Sequence, residues 1–198
     1  SGFEYSGFAE YAGASEEILA VHTAVGLFDL RHRAIVSIKG KDRFTWLQGM
    51  ISNDVRRLQS GDGVIQAFLL DSTGHVKADM NVISDGDAIL LDLPRETSTS
   101  VLRSLESLLI MEDVELTDCS EEMVVLSLQG GQKQIEFILL QSRLASYYNS
   151  RHSTIGGCDI IVRSDEAAEK WLAMINAGAS AIGQIAAENL RVEAGIPR

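Results

Sequence analysis

A carboxylate held on a rigid strand can take a proton, orient an amine or stabilise positive charge as it forms. The stretch LLDSTGHVKADMNVI, Leu69 to Ile83, offers one. An apolar run ends, a Gly-containing turn follows, and alternation begins. Val76, Ala78, Met80 and Val82 fall on one face, and His75, Lys77, Asp79 and Asn81 on the other. Periodicity alone reads that polar face as solvated, with Asp79 one carboxylate beside Lys77 and His75. Other polar groups stand at the ends of neighbouring segments. Asn53 and Asp54 follow a helical stretch, where an Asn-Asp pair commonly makes a turn or cap. His32 and Arg33 lead into a strand, and Asp92 and Leu93 close another.

Other chemistries lack their residues. The four histidines are scattered and form no HxxxH or HExxH pair, and Cys119 and Cys158 form no CxxC, so no dedicated metal site is expected. Free thiols in a reducing, cytoplasmic compartment are the expectation for that pair, with Cys158 buried, Cys119 exposed and neither activated. Neither GDG nor QGG precedes the Gly-Lys-Ser/Thr of a phosphate loop, and GxGxxG and GxSxG are absent. Ser72 to Gly74 is a hairpin turn and not a nucleophile elbow, because no helix follows. The formal net charge of −11 repels phosphate backbones and anionic lipid surfaces, and the short RHR and RR runs do not offset it. Nucleic-acid and membrane partners are therefore not expected. SGFEYSGFAEY lacks the basic-then-apolar order of a secretory signal.

The elements that must position these groups follow from spacing. SEEILAVHTAV reads as a helix capped by Ser15 and stopped by Gly26. RAIVSIKG reads as a strand, and KDRFTWLQGMI as a helix with Asp42 at its start. VIQAFLL, HVKADMNVI and AILLDL make three strands joined by tight turns, ended by Pro94. ETSTSVLRSLESLLIM is a helix with Val101, Leu105 and Leu108 on one stripe, and VELTD a short strand. A second half repeats the theme less clearly. It runs from the strand MVVLSLQGG through a helix at QKQIEFILLQSRL and a strand at CDIIVRS to a helix at DEAAEKWLAMINAG closed by Gly178. A last helix has Ile185, Asn189 and Val192 on one stripe and ends at Gly195 and Pro197. Trp46 and Trp171 fall on apolar helix faces and are assigned to the core. With 45% hydrophobic residues, 198 residues suffice for one large or two small cores. The pattern predicts an α+β fold with antiparallel sheets.

Four segments in order resemble the glycine-cleavage T-protein superfamily. VGLFDLRHRAIVSIKG resembles its GxFDxSH opening, which leads to a helix and NDV. LLDSTGHVKADMNVI resembles its turn-and-hairpin segment, VVLSLQG its LALQGP strand, and ENLRVEAGIP its LRLEAGLP helix end. The superfamily includes tetrahydrofolate-dependent aminomethyltransferases and YgfZ-type proteins that support iron–sulfur enzyme maintenance; RVEAGIPR is similar to the YgfZ-like branch. The resemblance implies two intertwined ferredoxin-like subdomains, one spanning 34–122 and the other built from 1–33 plus 123–198, with a folate-shaped pocket between them. It also places a C-terminal barrel, and the KGCxxGQ loop of the YgfZ branch, after the point where this sequence stops. The polypeptide is then a fragment or a reduced member without the barrel.

In T-proteins the Asp matching Asp79 lies beside the folate ring nitrogens, where a methylene group passes from a lipoyl-bound aminomethyl adduct to tetrahydrofolate and ammonia leaves. The resemblance thus makes Asp79 the catalytic candidate. Gln66, Asn53, Asp92, Leu93, Arg33 and Asp79 itself are the folate-binding candidates, and a folate, a lipoyl carrier protein or an iron–sulfur client the expected partner. Arg191 and Glu193 match the family and are equally read as an ion pair. Three departures stand out. The Glu of the family's GYTGE segment falls at Ile155, within RHSTI (Arg151 to Ile155). An Arg of its last helix falls at Ala187, and an aromatic before the turn falls at Gln66. Losing a charge-assisted partner costs about 1.5–3 kcal/mol each, which speaks against a working aminomethyltransferase. The first expectation is therefore a YgfZ-like folate-binding protein, with a folate-dependent aminomethyltransferase and a non-catalytic binding module as alternatives.

Overall fold

The structure, a computed structural model, describes residues 9–61, 63–144, 146–150 and 152–196. The expectations at Arg151 and Pro197 lie outside the described residues. In chain order the elements are α1 (Ala14–Thr23), β1 (Val25–Asp29), β2 (Arg33–Lys39), α2 (Arg43–Gln48), α3 (Arg56–Gln59), β3 (Val64–Leu70), β4 (Val76–Asp85), β5 (Ala88–Pro94), α4 (Arg95–Glu106), β6 (Glu115–Asp118), β7 (Met123–Gly130), α5 (Gln132–Gln141), β8 (Tyr148–Ser150), β9 (Gly157–Arg163), α6 (Ala167–Asn176), β10 (Ser180–Ile182) and α7 (Gln184–Glu193). They form two compact α+β units. One is His32–Met123; the other joins the chain up to Arg31 with the chain from Val124 onward.

In the His32–Met123 unit the sheet order is β3-β4-β5-β2-β6, antiparallel throughout. Strand side chains alternate between faces, and one face carries the core. There Val36, Ala67, Met80, Leu91 and Leu93 pack with Trp46 and Leu47 of α2, Leu58 of α3, and Val101 and Leu105 of α4. Leu108, expected on the same stripe of α4, lies past the helix end and is exposed, so of that stripe Val101 and Leu105 are the residues that reach the core.

The β3–β4 hairpin carries a register shift between Leu69 and Leu70. Leu70 faces Val76, Leu69 faces Ala78, and Phe68 faces Asp79. One extra residue on β4 reverses which side chains share a face. Val76, expected with Ala78 and Met80, is therefore 59% exposed. Lys77, expected beside Asp79, instead reaches α4, where its ammonium donates to Ser104 Oγ at 3.3 Å. His75 is drawn into the turn. Asp71 Oδ1 accepts the N–H of Thr73 at 2.8 Å, the N–H of His75 at 3.0 Å and the Thr73 hydroxyl at 2.6 Å. The Thr73 hydroxyl first, then the His75 N–H, hold the Asp71 carboxyl down at about 2.

In the other unit the sheet order is β10-β1-β7-β9-β8. β1 runs antiparallel to β7 but parallel to β10, a pairing the antiparallel expectation did not include. Leu27, Leu126, Leu128 and Ile160 pack with Ile135, Ile138 and Leu139 of α5 and Met174 of α6. Gly26 does not stop α1; it sits inside β1, where an added Cβ would lie 2.4 Å from Val21 Cγ2. Nor does Ser15 cap α1, whose N-cap is Gly13. Buried Glu17 organises that end instead, accepting N–H groups from Tyr11, from Ala12 at 2.9 Å and from Gly183 at 2.7 Å. α7 turns Ala186 and Leu190 inward and leaves Ile185, Asn189 and Val192 exposed, the reverse of the predicted stripe. Arg191 pairs with Glu188, and Glu193 with His22, rather than with each other. Among the described residues no helix is long and apolar enough to cross a membrane.

Candidate functional site

Opposite the core, the outer face of β3, β4, β5 and β2 gathers most of the predicted polar residues, because positions of equal parity meet across the ladder. Gln66 faces Asn81, Asn81 faces Asp92, and Asp92 faces Ile35. Asp92 is fully buried and well satisfied. The Arg33 guanidinium donates through Nε to its Oδ1 and through Nη2 to its main-chain carbonyl at 2.9 Å, and Asn81 Nδ2 donates to Oδ2 at 2.8 Å. Burying a carboxylate without such partners is prohibitive, so Arg33 and Asn81 are what permit Asp92 at that position. Arg33, one of the folate-binding candidates, has its fork engaged with Asp92.

Asp79 is built differently. It stands one pair further along β4, exposed, with no hydrogen bond or ion pair to its carboxylate among the described residues. Its cross-strand neighbour is Phe68, 47% exposed. Facing pairs of this kind bring Cβ atoms to within about 4.5–5.5 Å. Asp79, Phe68 and Gln66 thus present a carboxylate, an aromatic ring and an amide on one accessible strip.

The strip is braced along its edge by the segment after α2. Ile51 makes an isolated bridge to Leu69. Ser52 exchanges two bonds with Phe68, its N–H donating to the Phe68 carbonyl at 3.0 Å and its Oγ accepting the Phe68 N–H at 2.9 Å. Asn53 Nδ2 donates to the Gln66 carbonyl at 2.7 Å, while its Oδ1 accepts the Asp54 N–H at 2.8 Å. Asn53 therefore spends its amide holding β3, and Asp54 pairs with Arg56. An edge strand otherwise leaves such groups unpaired.

Leu93 is a correction. Its neighbours along β5 alternate, so it takes the face opposite Asp92 and is completely buried in the core against the helices. Phe68, Ser52 and Asn81 are additions. Asn81 was legible as a member of the polar stripe, but the pairing of Phe68 with Asp79 depends on the bulge, which no local pattern announces.

A second polar cluster lies in the other unit, around β7, β8 and β9. Asp159 is fully buried. It takes His152 Nε2 at 2.8 Å on Oδ2 and the Ser150 hydroxyl at 2.6 Å on Oδ1. Gln129 braces the same loop, its Oε1 accepting the His152 N–H at 3.0 Å and its Nε2 donating to Ser127 Oγ at 3.0 Å. Burial pushes the Asp159 carboxyl up, but His152 and the hydroxyls of Ser127 and Ser150 together hold it below the usual range. Beside it, burial and then the Asp159 charge push the Cys158 thiol up to about 12. Cys119, expected to be exposed, is buried too. Ile155 follows in the same loop, 42% exposed, and Ala187 is half-buried on α7. A cavity of about 250 Å³ in this unit, lined by Val25, Lys133, Phe137, Ile138 and Gly178 among others, touches none of the predicted site residues.

Comparison with known proteins follows the same lines. The aminomethyltransferase of Rubrobacter xylanophilus is 31% identical across 94% of this chain and 55% of its own length. That of Pseudomonas syringae pv. tomato is 28% identical across 94% of this chain and 56% of its own. The chain thus spans a little over half the length of these curated relatives. The crystal structure of the glycine cleavage system aminomethyltransferase T from Bartonella henselae superposes with a TM-score of 0.82 over 98% of this chain and 60% of that one. At 19% identity this shows the shared fold. The sequence also matches the GCVT N-terminal domain family over residues 3–162, four-fifths of its length, and the chain belongs to that family.

Proposed function

We propose that the chain carries the tetrahydrofolate-binding part of an aminomethyltransferase, with Asp79 as the group that meets the folate ring nitrogens. One observation carries this reading: an exposed carboxylate without a partner on the rigid outer face of an antiparallel sheet. A satisfied carboxylate such as Asp92 has its acceptor sites filled, whereas Asp79 has them open. The aminomethyltransferase relatives and the family match support it.

The residues present fit a reduced pterin, which offers a flat ring system edged with N–H donors. Asp79 accepts from those donors and, in one-carbon transfer, holds the positive charge that develops on the amine as ammonia leaves. The folate itself supplies the nitrogen that receives the methylene carbon. Asp92, Arg33 and Asn81 keep the neighbouring strands in register, and Asn53 and Ser52 brace the edge. Held this way, Asp79 requires little reorganisation when a ligand arrives.

The test is calorimetry with tetrahydrofolate. Asp79→Asn keeps the shape and removes the charge, so it is expected to weaken binding by about 1.5–3 kcal/mol, the usual worth of a hydrogen bond to a charged group. Equal affinity in the two proteins removes Asp79 from the site.

Ile155 and Ala187 favour a second reading, a folate-binding-fold protein that supports iron–sulfur enzyme maintenance without transferring carbon. Neither side chain can supply the charge-assisted bonds that the family's Glu and Arg make. Ammonia release from an aminomethylated lipoyl carrier, dependent on tetrahydrofolate, separates the two. Release supports transfer; folate binding without release supports the second reading.

A further inference from the structure

We propose that Phe68 is the stacking surface of this site, the aromatic face on which the folate ring lies. The inference rests on the folate reading and specifies how the ring is held. Three observations carry it.

Phe68 faces Asp79 directly across the β3–β4 ladder, through the register shift between Leu69 and Leu70. A flat nitrogen heterocycle lying on the phenyl therefore has its edge toward the carboxylate. Phe68 is 47% exposed, while its immediate neighbours Ala67 and Leu69, on the opposite face, are buried in the core. An aromatic left open beside an unpartnered carboxylate offers its face to a ligand with a π system. Finally, Phe68 is the residue at which the edge of β3 is fastened, with both main-chain groups bonded to Ser52 and the Gln66 carbonyl bonded to Asn53. A stacking ring gains most from a backbone that does not move when the ligand binds. Gln66 shares the face, two residues back, and its amide can reach the rim of the same ring.

Exposed Leu70 and Val76, one pair further toward the turn, offer the competing use of Phe68 as part of an apolar contact for a protein. The experiment separates the two with the intact chain and 5-formyltetrahydrofolate as the probe, measured by calorimetry. Phe68→Leu keeps apolar area and removes the π face. It is expected to lower affinity about tenfold or more, the scale of ring-on-aromatic stacking. Phe68→Tyr is expected to bind within about twofold of the parent, since the π face is kept. Gln66→Tyr added to Phe68→Leu is expected to restore most of the loss. If Phe68→Leu binds like the parent while Asp79→Asn binds weakly, the role of Phe68 is overturned and the folate site stands. If the parent chain does not bind the probe, both fall. A parallel loss of thermal stability in Phe68→Leu that Phe68→Tyr shares, without loss of affinity in either, also overturns the proposal.

Discussion

Two aspartates in the two units show opposite uses of a carboxylate. Asp159, on β9, is fully buried and surrounded by His152, Ser150 and the Gln129-braced loop. Asp79, on β4, is exposed and has no partner among the described residues. Burial forces a charge to collect hydrogen bonds, and once it has them it is spent on structure. An exposed charge on a strand fixed by its neighbours keeps its acceptor sites available at little cost to stability. Of these two, Asp79 is the carboxylate whose acceptor sites are open to a ligand. Asp92 makes the same point within one sheet, standing one pair away from Asp79 yet filled by Arg33 and Asn81.

The contrast is broken most forcefully from the buried side. Asp159→Ala leaves His152, Ser150 and the Gln129 network without their centre, and is expected to cost about 3–5 kcal/mol in urea denaturation. Gly26→Ala tests the packing of the same sheet. Its methyl would meet Val21 Cγ2 at 2.4 Å and Ile182 Cγ1 at 2.7 Å, and overpacking of this kind costs about 1–3 kcal/mol. Asp79→Asn, by contrast, is expected to change stability by less than about 0.5 kcal/mol, as for surface sites without partners. A cost near that of Asp159→Ala would make Asp79 structural and end the contrast.

Acid sharpens it further. The folded-state pKa values of Asp159 and Asp71 both lie below the unfolded value of 3.8, Asp71 at about 2. Their stabilisation is complete above about pH 4 and is lost as pH falls through the folded values. Asp71→Asn is expected to abolish a titration near pH 2 in the amide signals of Thr73 and His75, which its carboxylate holds. If those amides titrate unchanged in the variant, the turn is not ordered by Asp71.

Much of the fold was legible because its signals are local. VIQAFLL, an apolar run between two turn signals, is β3 from first residue to last. Gly178 ends α6 in a left-handed conformation, φ 108°, that disfavours side chains. β1 was missed because four of its five residues are buried, so VGLFD shows no alternation to separate it from the preceding helix. β8 and β10 are three residues each, too short to show any period. α7 was assigned the wrong face because Ile185 and Val192 are more apolar than Ala186, yet Ala186 and Leu190 are the residues turned inward.

The candidate site divides in the same way. The turn at Asp71 to Gly74, the strand that follows and the placing of Asp79 on a polar stripe are properties of the chain's own order of residues, since turn chemistry and two-residue periodicity act over a few positions. That Phe68 stands opposite Asp79, that Lys77 leaves for α4, and that Leu93 joins the core while Asp92 does not were decided only when strands met. Pairing register is a relation between distant segments, and a single inserted residue in the β3–β4 ladder exchanges the two faces beyond it.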